Sequence, residues 1–516
     1  MKDLTSSVYT FADLIQGNFL YVDKTEYIWQ LVRPAKAMYF LSRPRRFGKS
    51  LTLSTLKSVF QGKKELFKGL AIYDKPYDWK PFPIIHLDMN GRDFSTLEKM
   101  EERFKQMLRE QADLNGITLK ETSSDTMFHE LIKTLHDKAG DVVILLDEYD
   151  KPILNNISNK NVSEFLAALK VFYSVMKEKS GMLRFAFITG VSKFCHVSLF
   201  SDLNNLTDIT MDARYATMLG YTQEELEANF GDRIAALAED RSIDEFKEEI
   251  KAWYNGYRFE ESAKTVYNPV SLAKFFESGG KFNNYWFSTG TPSFLLELIK
   301  KQRFDFEEVL NNPVSNFAFD AYEIDRINPL TLLLQTGYLT IDSAVKRYGD
   351  TVYKLRFPNL EVKGSFETYL AGYCSGLRVD QVKDSVYKLA DAVTAGNVDA
   401  FLECMKVFFA KVPYDVHLKD ENNFQLLFFS IFMLLGISIE AESRTNEGRI
   451  DAVASNEGFV FVFEFKLDKT RELALDQIKD RDYCRRYLNS GKKIFLVGVN
   501  FDMERGQIQD WTSQAV

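Results

Sequence analysis

The sequence predicts an α/β protein with three parts: a parallel-sheet domain, a mostly helical middle region and a small α/β domain at the C-terminus. Three observations support this division. Residues 36–215 alternate apolar strand-like runs with helical stretches, which is typical of a parallel sheet with crossover helices. Residues 216–400 have mainly helical patterns, and residues 401–516 follow the order helix, hairpin, helix, strand. The predicted domains are therefore 1–215, 216–400 and 401–516.

Composition and charge limit the class of protein. With 516 residues the chain is long enough for two or three domains, and its 14% aromatic residues indicate large cores. The net charge of −8 argues against a surface broadly coated with basic residues, so any contact with nucleic acid has to come from local basic patches. The longest apolar stretch, residues 424–439, is too short to span a bilayer, and no apolar segment that would mark a signal peptide follows Met1. The four cysteines are far apart and predict neither a zinc site nor disulfides, so we expect a cytoplasmic protein with no membrane partner.

The elements of the N-terminal domain follow from apolar runs and turn signals. Five consecutive apolar residues at 142–146 indicate a strand that is buried on both faces. A helix is predicted over residues 50–60, after the first strand. In the middle region, turn signals at Asn255-Gly256 and Asn268-Pro269 separate the helical stretches. The predicted strands of the first domain are 38–41, 83–87, 142–146 and 183–189.

A phosphate-binding loop is predicted between the first strand and its helix, where the sequence is Arg-Pro-Arg-Arg-Phe-Gly-Lys-Ser. Backbone N–H groups around Gly48 and the helix N-terminus would hold phosphate oxygens, Lys49 would reach the β- and γ-phosphates, and Ser50 would bind Mg²⁺. Arg43 stands where this motif has its first glycine. Either the loop has a nonstandard shape, or Arg43 adds a cation to it.

Two acids end the buried strand at 142–146 and complete the predicted nucleotide site. Asp147 would hold Mg²⁺ through water, and Glu148 would polarise an attacking water molecule. Thr189 ends the next strand and could sense the γ-phosphate, although a polar strand end explains it equally well. The order of these residues predicts ATP binding, with hydrolysis as a further expectation.

A second site is predicted in a hairpin near the C-terminus, formed by residues 449–454 and 459–466 around a four-residue turn. Because side chains alternate along a strand, Glu464 and Lys466 share one face and a row of phenylalanines shares the other. Centring the turn between residues 456 and 457 predicts that Asp451 lies opposite Val462. Glu464 is then a diagonal neighbour of Asp451, ~7–8 Å away along the backbone.

These three charged residues suit metal-dependent phosphodiester chemistry. Asp451 and Glu464 could share one Mg²⁺, which polarises a phosphate and lowers the pKa of a bound water molecule. Lys466 would position that water molecule or stabilise the developing charge. An exposed hairpin is the alternative, but it does not explain a carboxylate within an apolar strand, where ionisation costs several kcal/mol without a partner.

Two accessory residues are weaker candidates. Glu421 opens the helix before the hairpin and could supply another acid, although glutamate is favoured at helix N-termini in any case. Gln477 lies on the predicted helix after the hairpin.

Several longer strings resemble known families. The N-terminal half resembles a bacterial AAA-ATPase-like family, and the C-terminal stretch resembles the PD-(D/E)XK nuclease superfamily. The strings that carry the first resemblance are Tyr21–Thr25, Arg43–Ser50, Leu146–Pro152, Ser198–Leu206, Trp253–Tyr257 and Tyr267–Pro269. The C-terminal resemblance depends on the Asp451 and Glu464-Phe465-Lys466 pattern.

The resemblance implies a P-loop AAA-like domain followed by a small restriction-endonuclease-like α/β domain. It implies ATP and Mg²⁺ as cofactors, nucleic acid (DNA in particular) as a partner, and a homo-oligomer by analogy with ring-forming relatives. Residues matched to the nucleotide site are Lys49, Ser50, Asp147 and Glu148. Residues matched to the nuclease core are Asp451, Glu464 and Lys466, with Gln477 as an accessory position.

Three functions are compatible with these residues. The first is an ATP-regulated, Mg²⁺-dependent nuclease. The second is a nucleotide-controlled regulator or defence-type sensor whose nuclease-like domain binds nucleic acid without cleaving it. The third is a P-loop signalling protein without a nucleic-acid partner. The intact set of Asp451, Glu464 and Lys466 favours the first function.

Overall fold

The structure is a computed structural model. In it the chain forms two compact units. The first comprises Met1–Thr289 and Asn312–Val362, and the second comprises Gly290–Asn311 and Lys363–Val516. The predicted domain boundaries near residues 215 and 400 stay predictions. The residues described are 2–157, 159–193, 200, 203, 205–286, 293–301, 309–310, 312–315, 328–412, 427–428, 430–432, 434–435, 438–442, 450–455, 458–467, 470–480, 491–502 and 507–516.

Helices and strands are numbered here in chain order over the described residues. The helices are α1 Phe11–Gln16, α2 Thr25–Val32, α3 Lys49–Phe60, α4 Leu97–Leu114, α5 Ser124–Ala139, α6 Lys151–Leu154, α7 Val162–Glu178, α8 Gln223–Ala238, α9 Ile243–Tyr254, α10 Pro269–Glu277, α11 Ser293–Lys301, α12 Pro329–Gln335, α13 Leu360–Ser375, α14 Val379–Thr394, α15 Val398–Ala410 and α16 Arg471–Asp480. The strands are β1 Ala37–Ser42, β2 Ile84–Asp88, β3 Val142–Asp147, β4 Leu183–Gly190, β5 Leu206–Asp208, β6 Val314–Ser315, β7 Thr340–Arg347, β8 Asp350–Arg356, β9 Ser438–Glu442, β10 Ile450–Ser455, β11 Phe459–Leu467, β12 Lys493–Asp502 and β13 Gln507–Ala515. Within these residues, we find no helix with the length and apolar character needed to cross a membrane.

A parallel sheet in the order β2-β3-β4-β1-β5 forms the centre of the first unit and confirms the predicted α/β class. Every residue of β3 is buried, as expected for a strand inside a parallel sheet covered on both faces. Strands β1 and β3 end at Ser42 and Asp147. Because parallel strands end at one sheet edge, the loop after β1 and the acids after β3 are brought together there.

The helices α8, α9 and α10 pack around a shared core in which Phe230, Ile250 and Phe275 are buried. The Asn268-Pro269 turn signal proves to be a helix start. The Asn268 side chain accepts hydrogen bonds from two backbone N–H groups of α10, and proline occupies the first turn, where its missing N–H costs nothing.

The predicted helical region also contains a small antiparallel sheet in the order β6-β8-β7. Its hairpin did not show in the sequence pattern because the outer half of β7 is exposed and carries no apolar alternation. Strands β7 and β8 pair from Thr340 with Arg356 out to Arg347 with Asp350.

The second unit contains a sheet in the order β13-β12-β11-β10-β9, in which β11 and β12 are parallel and the other pairs antiparallel. On one face, Phe461 stacks near Phe401 of α15, and Phe463 packs against Phe432. The predicted aromatic face is therefore buried against helical residues. On the other face, a cluster that includes Val462 packs against Leu475 of α16.

Candidate nucleotide and nuclease sites

The loop between β1 and α3 has the backbone turn that a phosphate loop needs. Gly48 has φ 91°, in the left-handed region, directly before α3 begins at Lys49. A Cβ atom at position 48 would meet no atom within 4 Å. The backbone angle, rather than lack of space, therefore explains the glycine.

The Lys49 ammonium group folds back onto this loop. Its Nζ atom donates to the carbonyl oxygens of Arg43 at 3.0 Å and Pro44 at 3.1 Å. Burial lowers the pKa of Lys49, while the nearby carboxylates of Glu148 and Asp147 oppose that shift. The loop thus holds a buried cation where the predicted phosphates would bind.

Ser50 and Asp147 form the centre of the predicted Mg²⁺ site. The Ser50 hydroxyl donates to Asp147 Oδ2 at 2.5 Å. The Asp147 side chain is buried, and its Oδ1 atom has no hydrogen-bond partner among the described residues. Burial raises the pKa of Asp147 to about 6, against the hydrogen bond from Ser50 and the charge of Lys49. A hydroxyl beside a carboxylate with a spare oxygen fits a hard cation such as Mg²⁺.

A cavity of about 320 Å³ opens beside these groups. Gly48, Lys49, Ser50 and Glu148 line it, and the rest of its wall comes from other parts of the first unit. Those parts include residues 5–9, 218–221 and 269–274. Its volume lies at the lower end of the range for small-molecule sites, roughly 300–1,000 Å³.

The two remaining predicted nucleotide residues have different surroundings. Glu148 lines the cavity with φ 51°, an unusual value for a residue other than glycine and often a sign of a functional position. Its carboxylate lies 3.4 Å from Lys151 Nζ. Thr189 is buried, and its hydroxyl donates to the Leu41 carbonyl at 2.8 Å. The structure does not bring Thr189 to the cavity wall, and its role as a phosphate sensor stays a prediction.

Arg43 is an internal support of the loop. Its Nη1 atom donates to the Thr210 carbonyl at 2.7 Å, and Nη2 donates to the Tyr215 carbonyl at 3.4 Å. The guanidinium also lies over the Phe259 ring, 4.2 Å from its centroid. The suggestion that Arg43 adds a cation to the phosphate site is therefore wrong, because its charged group is buried against backbone carbonyls.

Sequence reasoning missed a second arginine in the same loop. Arg46 lines the cavity, and its guanidinium donates to the Tyr285 carbonyl. Behind this contact the buried Glu361 carboxylate accepts from the N–H groups of Tyr285 and Trp286, each at 2.7 Å. Local motifs could not reveal these contacts, because the residues lie more than two hundred positions from the loop.

The hairpin register differs from the predicted one. Asp451 pairs directly with Glu464, and Val453 pairs with Val462. The predicted pairing of Asp451 with Val462 is wrong because the strands join further along the chain, from Ser455 with Val460. The shift is two residues, an even number, so Asp451 and Glu464 keep the same face of the sheet.

Glu464 and Lys466 form a buried ion pair. Lys466 Nζ lies 2.7 Å from Glu464 Oε1, and the two side chains are 5% and 0% exposed. Glu464 Oε2 is buried and has no hydrogen-bond partner among the described residues. A buried carboxylate with one oxygen neutralised and the other unpaired has the donor atom that a divalent cation requires.

The sheet aligns further polar positions that the sequence analysis missed. Glu442 pairs with Asp451 on the opposite side from Glu464, which gives a row of three acidic positions across β9, β10 and β11. Asn500 pairs with Lys466 across β11 and β12. The Asn500 side chain is buried and donates to Gln509 at 2.8 Å, while its Oδ1 atom has no partner within the described part of the chain.

Helix α16 rests directly on the sheet beside this row. A Cβ atom at Gly498, the neighbour of Glu464 in β12, would lie 2.6 Å from the Arg471 carbonyl oxygen and 2.9 Å from the Leu475 nitrogen. Gln477 is placed in α16 by its backbone. Glu421 lies outside the described residues, so its accessory role stays a prediction.

Comparisons with known proteins agree with this arrangement. Residues 6–200 match the family model described as predicted AAA-ATPase, and residues 419–511 match the PD-(D/E)XK nuclease superfamily. An Azotobacter chroococcum mcd 1 protein, described as an uncharacterized protein in the vnfD 5′ region, is 37% identical over 98% of this chain and 97% of its own length. The solved structure described as the Aeropyrum pernix ORC1 protein in complex with DNA is 11% identical, with TM-score 0.27, over 67% of this chain and 91% of that chain. With one relative matched over nearly its whole length and both models matched in order, the chain belongs to the AAA-ATPase-like family, in the form that carries a C-terminal PD-(D/E)XK nuclease superfamily domain.

Proposed function

We propose that this protein binds and hydrolyses ATP with Mg²⁺ and cleaves nucleic acid, DNA in particular, in a Mg²⁺-dependent reaction at its C-terminal domain. The observation that carries the proposal is the state of Glu464. This carboxylate is fully buried, bonded to Lys466 through one oxygen and unpaired at the other among the described residues. Burying a carboxylate with one unpaired oxygen costs free energy, and a cation bound at that oxygen would offset this cost.

In the nuclease domain, Glu464 Oε2 and the carboxylate of Asp451, its direct partner in the register, would hold the metal. When bound, Mg²⁺ supplies charge that polarises the scissile phosphate and lowers the pKa of a water molecule. Lys466 places a positive charge 2.7 Å from the buried Glu464 carboxylate. Its ammonium group can also donate to a phosphate oxygen as negative charge develops there.

In the nucleotide domain, Lys49 would exchange the carbonyl oxygens of Arg43 and Pro44 for phosphate oxygens. Ser50 and Asp147 would hold the nucleotide's Mg²⁺ in place of their mutual hydrogen bond. Glu148 lines the same cavity and would take a proton from the attacking water molecule. These roles suit the cavity, because Lys49, Ser50 and Glu148 line it and Asp147 is bonded to Ser50.

We also propose a cytoplasmic location and assembly into a homo-oligomer, both by analogy with the class of domain. Sedimentation velocity with and without ATP tests the second statement. A single monomeric species under all nucleotide conditions would contradict it.

The proposal is tested by measuring cleavage and binding on the same samples. Single-stranded DNA, duplex DNA and RNA are each incubated with Mg²⁺, with and without ATP, using the wild type, Lys49→Ala and Glu464→Gln. We expect the wild type to cleave DNA, Glu464→Gln to bind without cleaving, and Lys49→Ala to lose the response to ATP. Binding without cleavage by the wild type at every metal concentration would instead identify a nucleotide-controlled binding protein. Flat binding curves at low salt would indicate a protein with no nucleic-acid partner.

A further inference from the structure

The hairpin of β7 and β8 is anchored at its base and exposed at its outer end. At the base, Ile341 and Leu355 are buried, and the Arg258 side chain donates to the Asp342 carbonyl at 2.6 Å. From Ser343 outward, most of β7 is exposed. Val345, in this outer half, has 57% of its surface exposed. The hairpin, called the β7–β8 ribbon below, is therefore anchored by buried residues at its base and exposes the side chains of its outer half to solvent.

The outer half is basic in an acidic protein. Residues 343–354 include Lys346, Arg347 and Lys354 with one acid, Asp350, while the whole chain has a net charge of −8. Among the described residues none of these three cations forms an ion pair. Asp350, which pairs with Arg347 in the register, instead accepts from Ser315 Oγ at 2.6 Å and from the Thr351 N–H at 2.9 Å.

Two of the cations lie on one face of the ribbon. Arg347 pairs with Asp350, and Ser343 pairs with Lys354, so alternation places Arg347 and Lys354 on the same face. They are separated along the strands by about 13 Å, four residues at roughly 3.3 Å each. Phosphates of one nucleic-acid strand recur about every 3.4 Å along the helix axis, so the two cations span about four phosphates.

The tip of the ribbon carries a fully exposed aromatic side chain. Tyr348 and Gly349 form the turn, with φ 52° and 88°, as a two-residue hairpin turn requires. Such turns favour Asn-Gly, because a left-handed backbone is unfavourable for a bulky residue. Tyrosine is therefore an unfavourable residue for this turn. Residues that conflict with their local structure are expected at positions that contact a ligand.

We propose that the β7–β8 ribbon is a nucleic-acid-binding arm, separate from the nuclease-like domain. Arg347 and Lys354 would contact phosphates, and Tyr348 would stack on a base or wedge against a base pair. Stacking and phosphate contacts are the two interactions with which proteins bind nucleic acid without reading its sequence. This proposal takes only its partner, nucleic acid, from the proposed function. Binding at the arm requires neither metal nor cleavage.

The test measures binding of the full chain in chelator without ATP, so that a failure of cleavage does not affect it. Fluorescence anisotropy is recorded over a salt series for single-stranded DNA, its duplex and RNA of the same sequence. Tyr348→Asn should keep or raise the melting temperature, because asparagine suits the turn, and should weaken binding about tenfold. An effect on single strands alone assigns the tyrosine to an unpaired base, and an effect on duplex assigns it to a base step.

The phosphate contacts have a matched control. Arg347→Gln with Lys354→Gln should reduce the slope of log K against log salt by about 1.8 for duplex DNA. Lys63→Gln with Lys68→Gln removes the same charge from two exposed lysines elsewhere and should leave the slope unchanged. Equal effects from both pairs, or hairpin variants that bind like the wild type, would overturn the proposal. It would also fail if the wild type bound none of the three probes, or if the hairpin variants lost binding only to phosphatidylserine vesicles.

Discussion

Asp451 and Glu464 are direct cross-strand partners in β10 and β11, and Glu464 in turn holds the Lys466 ammonium at 2.7 Å. Direct partners in an antiparallel pair lie about 4.5–5.5 Å apart at Cβ, closer than the diagonal relation that the sequence predicted. The observed register therefore suits two carboxylates on one metal ion better than the predicted register did.

Removing the Lys466 charge should destabilise the second unit. Lys466→Met leaves the fully buried Glu464 carboxylate without its cation, which typically costs about 3–5 kcal/mol. Added Mg²⁺ should restore more stability in this variant than in the wild type, as measured by thermal unfolding. The double variant Lys466→Met/Glu464→Gln is the control, and should regain stability while losing the response to metal. A single variant as stable as the wild type, with no response to Mg²⁺, would contradict this view of the site.

Binding of the metal–nucleotide complex should depend on the protonation of Asp147. Burial raises the pKa of this carboxyl to about 6, and a bound cation requires its ionised form. Affinity should therefore fall as the pH drops below about 6, by up to tenfold per pH unit. Calorimetric titration of wild type and Asp147→Asn at several pH values checks this, because the variant reports the proton uptake of the nucleotide alone. Identical pH dependence in both proteins would exclude Asp147 from metal binding.

Replacing Arg43 by the glycine that the phosphate-loop motif has at this position should lower the stability of the protein. Arg43→Gly removes hydrogen bonds from a buried guanidinium to the Thr210 and Tyr215 carbonyls, and bonds to charged groups contribute about 1.5–3 kcal/mol each. We expect a loss of about 3 kcal/mol or more in chemical denaturation without nucleotide. Arg45→Gly, in the same loop, is the matched control and should cost far less. If Arg43→Gly unfolded at the same denaturant concentration as the wild type, the arginine would not support the loop.

Stability should fall as the pH rises toward 8 because of Glu367. Burial raises the pKa of this carboxyl from 4.5 to about 8, with Lys363 as a weak opposing charge 3.9 Å away. A carboxyl with a raised pKa stabilises the fold below its unfolded value near 4.5, and this contribution is lost as pH rises through about 8. The slope is at most about 1.4 kcal/mol per pH unit. Glu367→Gln should flatten the curve, whereas Glu403→Gln, at a less buried position, should not. An unchanged slope in Glu367→Gln would show that other groups cause the pH dependence.

Local patterns predicted the parts of both sites that are local in the chain. Lys49 and Ser50 follow one strand, Asp147 ends another, and the alternation of β11 assigned Glu464 and Lys466 to one face. The predicted register of Asp451 was wrong because it depends on where the turn is centred, and moving that centre by one residue moves the partner of Asp451 by two.

Contacts between distant residues could not be predicted in the same way. Arg43 is explained by carbonyl groups at residues 210 and 215, which no motif connects to the loop. Asn500 and Glu442 enter the second site through strand pairing alone. The hairpin ending at Tyr348 was missed for another reason, because the outer half of β7 is exposed and lacks an apolar pattern.

The metal dependence of DNA cleavage tests directly whether Glu464 is a metal-binding catalytic carboxylate. The rate of DNA cleavage is followed as a function of Mg²⁺ concentration for the wild type and Glu464→Gln, with both shown to be folded by circular dichroism. If Glu464 binds the metal, the wild type should show saturable, Mg²⁺-dependent cleavage, and the variant should lose at least a hundredfold in rate, ~2.7 kcal/mol of transition-state stabilisation. Cleavage by Glu464→Gln at the wild-type rate and with the same metal dependence would contradict it.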